Sequence, residues 1–172
     1  MLVGTDGVVD AVHAKGESVL IHCSDGWDRT AQLTALSQLM LDPYYRTFDG
    51  FKALIRKEWT AFGHKFEDRF GRTLSKEKEA SPIFVQFLDC VWQLMRVNPT
   101  AFAFGPGYLV GLYGAVVCGR YGTFLGNSER ARIRDHLCGN FEIYMAPFRF
   151  LLFFSFVFFF NPYALRHPAR AG

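Results

Sequence analysis

The stretch Val19–Leu36, VLIHCSDGWDRTAQLTAL, decides how this chain is interpreted. Its first residues complete a continuous β-prone run, Ser18–His22, which is typical of a strand buried on both faces. A short segment of small, acidic and aromatic residues follows. Apolar residues at helical spacing then predict a helix over Arg29–Leu41, ended by Pro43. The stretch therefore predicts a strand, a loop and a helix, with a cysteine where the strand ends and an arginine where the helix begins.

The rest of the chain is predicted to be mostly helical, with the polar segment Gly71–Ser81 as a surface loop. Helices are expected over Asp6–Lys15, Phe48–Phe62, Pro82–Val97, Gly105–Gly122 and Asn127–Leu137. A strand buried on both faces must pair on both sides, and no second strand is convincing. We therefore expect an α/β fold with one central strand followed by mostly helices, forming the C-terminal portion of a larger α/β domain.

The composition narrows the classes of function. Half of the 172 residues are hydrophobic, which permits a packed core, and the net charge is only +3. This excess of positive charge is too small, and the basic residues are too dispersed, to indicate nucleic-acid binding. A net charge of this size is compatible with contact to an anionic membrane surface. The four cysteines have the spacing of neither a zinc site nor a small disulfide framework. We therefore expect no metal, and no signal peptide is recognisable at the N-terminus.

The loop between the predicted strand and helix has the residues of a thiol-based phosphate site. Cys23 and Arg29 are six positions apart, with Gly26 midway and Thr30 directly after the arginine. Backbone N–H groups at the start of a helix bind tetrahedral anions, and an arginine fork fits two phosphate oxygens. The same positive environment lowers the pKa of a cysteine, so that Cys23 can attack phosphorus as a thiolate. The expected product is a phosphocysteine intermediate, which water then hydrolyses.

Protonation of the leaving group requires an acid, and the loop offers two carboxyl groups, Asp25 and Asp28. Either of them could instead cap the following helix. His22 is expected to orient the loop by hydrogen bonds to backbone carbonyls. Trp27 is expected at the lip of the pocket, against a substrate ring or as a wedge for the loop.

The string HCSDGWDRTAQLTAL, followed by LDPYYRTFDGF, KEWTAFGHKFEDRFG and SPIFVQFLDCVWQLMRVNPTAFAF, resembles the myotubularin phosphoinositide phosphatases. The resemblance runs from about Gly4 to Arg132. It implies a partial cysteine-dependent phosphatase fold, with Cys23 as the nucleophile, Arg29 as the phosphate-binding residue and Asp28 as the proposed acid. The residues that it places around the headgroup are Ser24, Asp25, Gly26, Trp27, Asp28, Arg29 and Lys65.

The family implies substrates, partners and a location. The substrates are phosphatidylinositol 3-phosphate and phosphatidylinositol 3,5-bisphosphate, the bond cut is the 3-phosphomonoester, and no cofactor is required. The resemblance further implies a cytoplasmic protein peripheral to endosomal membranes, and it allows homo- or hetero-oligomers with other myotubularins. We assign residues 1–134 to the C-terminal portion of the phosphatase domain. Residues 135–172, which include the apolar run Phe150–Phe160, form a divergent tail that is too short and interrupted for a confident membrane span.

Two alternatives remain at this point. The chain could be a non-enzymatic fragment that retains the motif but does not assemble the sheet. It could also be a protein tyrosine or dual-specificity phosphatase, since these enzymes share the Cys-x5-Arg loop, although the CSDGWDR string disfavours that class. The intact Cys23 and Arg29 argue against the inactive relatives of the family, which lose one or both.

Overall fold

A computed structural model describes residues 1–72, 78–119 and 121–135, and in these ranges the chain is helical. The helices are α1 (Leu2–Val9), α2 (Arg29–Leu41), α3 (Phe48–Ile55), α4 (Phe66–Arg69), α5 (Ile83–Val97), α6 (Pro106–Val117) and α7 (Glu129–Arg134). Helices α1 and α3 continue as π-helical turns over Asp10–Ala14 and Arg56–Ala61. Short 3₁₀ turns cover Pro43–Arg46 and Gly122–Phe124.

The central strand predicted for residues 18–22 is not formed. This segment is neither helix nor strand, and none of the residues that the structure describes forms a strand. Leu20 is 88% exposed and Val19 39% exposed. A strand exists only through hydrogen bonds to a neighbouring strand, and the described chain supplies no neighbour, so the apolar run lies at the surface.

The helices predicted from apolar periodicity are formed, with shifted ends. Helix α2 has the predicted bounds. Helix α1 begins at Leu2, four residues before the start predicted at Asp6, because the residues preceding Asp6 are helical as well. Phe62, the last residue of the helix predicted over Phe48–Phe62, lies just beyond the π-helical turn that ends at Ala61 and is 61% exposed. The start of α7 is capped by the Ser128 hydroxyl, which accepts from the Ala131 N–H, while part of the helix predicted up to Leu137 lies outside the described residues.

The core is a cluster of aromatic rings that surrounds Trp59, a fully buried side chain. Its ring lies edge-on to Phe84 at 4.9 Å and contacts Phe87 at 5.1 Å, both on α5. Phe66 of α4 joins the cluster through Phe84, at 5.2 Å. Edge-to-face contacts of this kind add to the burial of apolar area, so the cluster fixes α4 against α5.

A buried glutamine fixes the helix that follows the predicted phosphate loop. Gln32 of α2 is completely buried, and its Nε2 donates to the Ile83 carbonyl at 2.8 Å and to Gln86 Oε1 at 3.3 Å. Both acceptors lie at the start of α5, so the first turns of the two helices are tied together. On the other side of α2, α1 packs against it, with Thr5 fully buried. The start of α2 is therefore held in place by its neighbours.

The predicted division at residue 134 and the divergent tail are not tested, because residues 136–172 lie outside the described part of the chain. In the described ranges, no helix is both long and apolar enough to cross a membrane.

Candidate active site

The loop from Cys23 to Arg29 turns at Gly26. Gly26 has a φ of +91°, a backbone conformation that side chains with a Cβ rarely adopt. This turn aims the Gly26 N–H at Cys23 Sγ, 3.2 Å away. The glycine midway between Cys23 and Arg29 thus has a direct structural cause, since the turn brings a backbone donor to the sulfur.

The Cys23 thiol is only partly exposed, and its surroundings favour the thiolate. The pKa of Cys23 is lowered from 9.0 to about 7, chiefly by the influence of the Thr30 hydroxyl. Burial opposes this change, and the backbone N–H groups of Gly26, Asp25 and Thr30 support it. A substantial fraction of Cys23 is therefore ionised at neutral pH, as a nucleophile requires.

Arg29 and Ser24 meet at the exposed side of the loop. Arg29 Nη2 donates to Ser24 Oγ at 3.1 Å, and the Ser24 hydroxyl lies 3.4 Å from Asp25 Oδ2. All three side chains are exposed. The Arg29 guanidinium thus lies over the loop. There the oxygens of an incoming phosphate can replace the Ser24 hydroxyl as acceptors of its hydrogen bonds.

The Asp28 carboxylate is contacted from two sides by Arg69 and His64, neither of which was predicted as a site residue. Arg69 donates to Asp28 Oδ2 from Nε at 3.0 Å and from Nη2 at 2.8 Å. His64 Nδ1 lies 2.9 Å from Asp28 Oδ1. Burial alone would raise the pKa of Asp28, but the hydrogen bonds from His64 and Arg69 outweigh it and hold this pKa below the ordinary value. Asp28 is therefore a carboxylate in the ligand-free loop.

The alternative that Asp28 caps α2 does not hold. Asp28 occupies the position before the first residue of α2, but its side chain accepts no hydrogen bond from the helix. The carboxylate faces away from the helix start, towards Arg69 of α4. The first N–H groups of α2 are thus not occupied by this carboxylate.

Lys65 lies against the loop through Trp27. Its Nζ is 4.4 Å from the centroid of the Trp27 ring, within the range of a cation–π contact. Trp27 is half-buried rather than fully exposed at the lip. The structure thus brings together all the predicted site residues along the loop and adds Lys65 beside them, from 38 positions further along the chain.

Two residues in contact with the loop, His64 and Arg69, were missed. His22 was expected to orient the loop, yet it is exposed and makes no hydrogen bond in the described ranges, whereas His64 is fully buried and contacts the loop. One signal could have found the missed pair. The segment HKFEDR contains three basic residues between apolar helices, while the loop contains two acidic residues, Asp25 and Asp28, that could pair with a cation.

The segment that carries His64, Lys65 and Arg69 is held by hydrogen bonds to residues elsewhere in the chain. Asn127 Oδ1 accepts from the Asp68 N–H at 3.1 Å, and Asn127 Nδ2 donates to Asp68 Oδ1 at 2.9 Å. Arg132 Nη2 donates to the Thr60 carbonyl at 2.9 Å. Arg72 donates to the carbonyls of Val116 and Phe124. These bonds fix α4, and through it the partners of Asp28.

The site combines the groups that a thiol-based phosphate site requires. Among residues 1–72, 78–119 and 121–135, no group of three or more histidine, cysteine or acidic side chains could hold a metal ion. Cys23 supplies a nucleophile, the loop and the start of α2 supply N–H donors, and Arg29 supplies a cation. This arrangement can bind a tetrahedral anion next to sulfur.

Comparison with known proteins agrees with this chemistry. Residues 1–133 match the family described as myotubularin-like phosphatase domain. The chain is 51% identical over 140 residues to the phosphatidylinositol-3,5-bisphosphate 3-phosphatase mtm-1 of Caenorhabditis elegans, covering 80% of this chain and 24% of that protein. It is also 51% identical over 139 residues to myotubularin of Rattus norvegicus, covering 80% of this chain and 23% of that protein.

A third relative, the phosphatidylinositol-3,5-bisphosphate 3-phosphatase MTMR2 of Gallus gallus, is 48% identical over 139 residues, which cover 80% of this chain and 24% of that protein. The chain thus spans about a quarter of the length of the curated relatives it matches. The resemblance noted in the sequence is confirmed, and the match includes the loop, α2 and the segment that carries Lys65. The chain therefore belongs to the myotubularin-like phosphatase domain family.

Proposed function

We propose that this chain carries the catalytic loop of a phosphoinositide phosphatase. The enzyme would remove the 3-phosphate of phosphatidylinositol 3-phosphate and of phosphatidylinositol 3,5-bisphosphate. The observation that carries the proposal is the Cys23 thiol, whose pKa is lowered to about 7 within a loop that also presents Arg29. The names of two relatives, each a phosphatidylinositol-3,5-bisphosphate 3-phosphatase, support the bisphosphate as a substrate.

The reaction follows from the loop. The Cys23 thiolate attacks phosphorus, the bond from phosphorus to the inositol oxygen breaks, and that oxygen leaves with a proton. A phosphocysteine remains, whose oxygens are held by Arg29 and by backbone N–H groups. Water then attacks phosphorus, loses a proton, and releases inorganic phosphate and the Cys23 thiolate. The Thr30 hydroxyl, the largest cause of the lowered pKa of Cys23, would stabilise the thiolate as it leaves.

Asp28 is our candidate for the group that gives and later takes back this proton. In the ligand-free loop it is ionised, because His64 and Arg69 lower its pKa. A bound phosphate dianion raises the proton affinity of a nearby carboxylate, so the substrate itself would move Asp28 towards the acid form. An ionised Asp28 is suited to accept the proton of the attacking water in the second step.

The remaining pocket residues would recognise the headgroup. We assign Ser24, Asp25, Gly26 and Trp27 to its walls. Lys65, which lies over the Trp27 ring, provides a second cation and would bind a second phosphate on the inositol ring. The lipid would be reached at a membrane surface by a peripheral contact, in the cytoplasm and at endosomal membranes, alone or in an oligomer with related chains. The family resemblance supports these last proposals.

The complete α/β arrangement also belongs to this proposal. The exposed apolar run that contains Val19 and Leu20 is suited to pair as a strand between neighbouring strands. We propose that this pairing occurs in the full-length phosphatase domain. The chain spans only about a quarter of the length of its relatives. The cysteine would then stand at the end of a buried strand.

A second candidate function follows from the same observation. Because the described residues supply no strand to pair with the apolar run that contains Val19 and Leu20, the alternative is a non-enzymatic fragment that keeps the loop without a rigid support. A cooperative thermal unfolding transition supports the enzyme, and its absence supports the fragment.

The decisive experiment is release of inorganic phosphate from short-chain phosphatidylinositol 3-phosphate. We compare wild type with Cys23→Ser, and with Cys118→Ser as the control, because Cys118 is exposed and lies outside the loop. Release that disappears only in Cys23→Ser supports the proposal. Release that persists in Cys23→Ser contradicts the nucleophile, and faster hydrolysis of a phosphotyrosine peptide than of the lipid would favour a protein phosphatase instead.

A further inference from the structure

A buried histidine connects the core of the domain to the phosphate loop. His64 is completely buried, and its Nδ1 lies 3.0 Å from the Trp27 carbonyl oxygen and 2.9 Å from Asp28 Oδ1. The carbonyl and the carboxylate belong to the two residues that directly precede α2. The same ring nitrogen therefore contacts the backbone and a side chain of the loop immediately before α2.

The geometry fixes which nitrogen of His64 carries a proton. Both groups near Nδ1 are acceptors, so Nδ1 must donate. The ring packs edge-on against Trp59 at 4.8 Å and against Phe66 at 4.7 Å. Nε2 is buried without a hydrogen-bond partner in the described residues, and a proton there would leave a buried N–H unsatisfied. His64 thus donates through Nδ1 alone, towards the loop.

This donor determines the direction of one peptide group. The Trp27 carbonyl and the Asp28 N–H belong to the same planar trans peptide, so they point in opposite directions. Because His64 draws the carbonyl towards the core, the Asp28 N–H points away from the core. It donates to no acceptor in the described part of the chain. It is therefore free to bind an oxygen outside the core.

We infer that His64 is a positioning residue for the phosphate loop. Its Nδ1–H holds the Trp27 carbonyl, with Asp28 Oδ1 2.9 Å from the same nitrogen, so that the peptide between Trp27 and Asp28 presents its N–H to an oxygen of a bound phosphate. The inference rests on the proposed function only in taking this loop as an anion site. According to this inference, a core histidine outside the Cys-x5-Arg motif determines the backbone conformation of the phosphate loop.

Two substitutions separate this role from simple packing. His64→Phe preserves the ring that Trp59 and Phe66 contact but removes the donor. His64→Asn removes most of the ring but keeps an N–H donor bonded to Cγ, where Nδ1 is bonded in histidine. A packing role makes His64→Phe the better variant in every assay. A positioning role makes His64→Asn the better variant for anion binding, although it is the less stable protein.

The test measures how well inorganic phosphate protects Cys23 from alkylation by iodoacetamide, at pH 7 and in the full chain. Urea unfolding of the same three proteins gives their stabilities. We expect the phosphate concentration for half-protection to rise about tenfold in His64→Phe, the loss of one charge-assisted hydrogen bond. We expect it to stay within about threefold of wild type in His64→Asn, while the order of stability is reversed.

The outcomes separate this inference from the proposed function. Protection of His64→Phe equal to that of wild type overturns the positioning role and leaves the enzyme proposal standing. The same holds if binding simply follows stability across the variants. A protected wild type that releases no phosphate from the lipid contradicts the enzyme and leaves the positioning role standing. A wild type that phosphate does not protect overturns the anion site, and the positioning role with it.

Discussion

Arg69 and Asp28 are joined by two hydrogen bonds to a single carboxylate oxygen, from Nε at 3.0 Å and from Nη2 at 2.8 Å. The remaining nitrogen of the guanidinium, Nη1, donates to the carbonyl and the carboxylate of Glu79, at 2.9 and 3.1 Å. Arg69 thus ties the first turn of α2 to α4 and to the segment before α5. Its own pKa is raised, chiefly by the hydrogen bond to Asp28.

The Asp28–Arg69 pair makes stability depend on pH. The pKa of Asp28 is lowered in the folded chain, so its stabilising effect is present above the ordinary aspartate pKa of about 3.9 and is lost as the pH falls through the folded value. We expect Asp28→Asn to lower the free energy of unfolding by about 1.5 to 3 kcal/mol at pH 7, the range for hydrogen bonds to charged groups. Urea unfolding at pH 7 and at lower pH measures the difference, which should shrink in acid.

The matched control for that change is Asp25→Asn, because Asp25 belongs to the same loop but is exposed. Its effect on the free energy of unfolding should stay within about 0.5 kcal/mol. If the two variants are equally stable at pH 7, Asp28 is not a stabilising carboxylate.

The reactivity of Cys23 should report its lowered pKa. We expect alkylation of this residue by iodoacetamide, followed by peptide mass spectrometry, to rise with a midpoint near pH 7. Thr30→Val removes the hydroxyl that lowers this pKa most, so the midpoint should move upward towards 9.0. A Cys118→Ser background removes the other exposed thiol of the described residues. An unchanged midpoint in Thr30→Val would mean that the loop amides alone set the pKa.

Lys65 should distinguish the two proposed substrates. Lys65→Ala removes the cation that lies over Trp27, and we expect the loss of kcat/KM to be about tenfold larger on the bisphosphate than on the monophosphate. Lys65→Arg, which keeps the charge, is the control and should retain most of the preference. Equal losses on both lipids would remove Lys65 from second-phosphate binding and leave it as a packing partner of the tryptophan.

Two glycines in helices should respond in opposite ways to alanine. A Cβ at Gly50 would lie 1.8 Å from the Tyr44 carbonyl oxygen, so α3 would have to move away from the preceding turn. We expect Gly50→Ala to destabilise the chain by about 1 to 3 kcal/mol. Gly111 is exposed in α6 with open space around it, and Gly111→Ala should stabilise by up to about 1 kcal/mol. Thermal unfolding compares them, and a stable Gly50→Ala would contradict the close approach at Tyr44.

The helices were predictable because their information is local. The spacing of apolar residues predicted the bounds of α2 correctly, and Pro43 correctly indicated where this helix ends. The helix predicted over Pro82–Val97 is formed as α5, and its apolar residues at helical spacing, Phe84, Phe87 and Val91, are buried. The ends that shifted, such as the start of α1, depend on which flanking residues also find helical hydrogen bonds, and periodicity does not report this.

The chemistry of the loop was determined by the sequence itself. The spacing of Cys23 and Arg29, with a glycine at φ +91° between them, places a thiol and backbone donors together over only seven residues. Tertiary structure alone decided the partners of Asp28 and Trp27, because Arg69 and His64 follow them by 41 and 37 positions and reach them only when the helices pack. The same reason explains the unpaired run at Leu20, since a strand is defined by neighbours that no local pattern supplies.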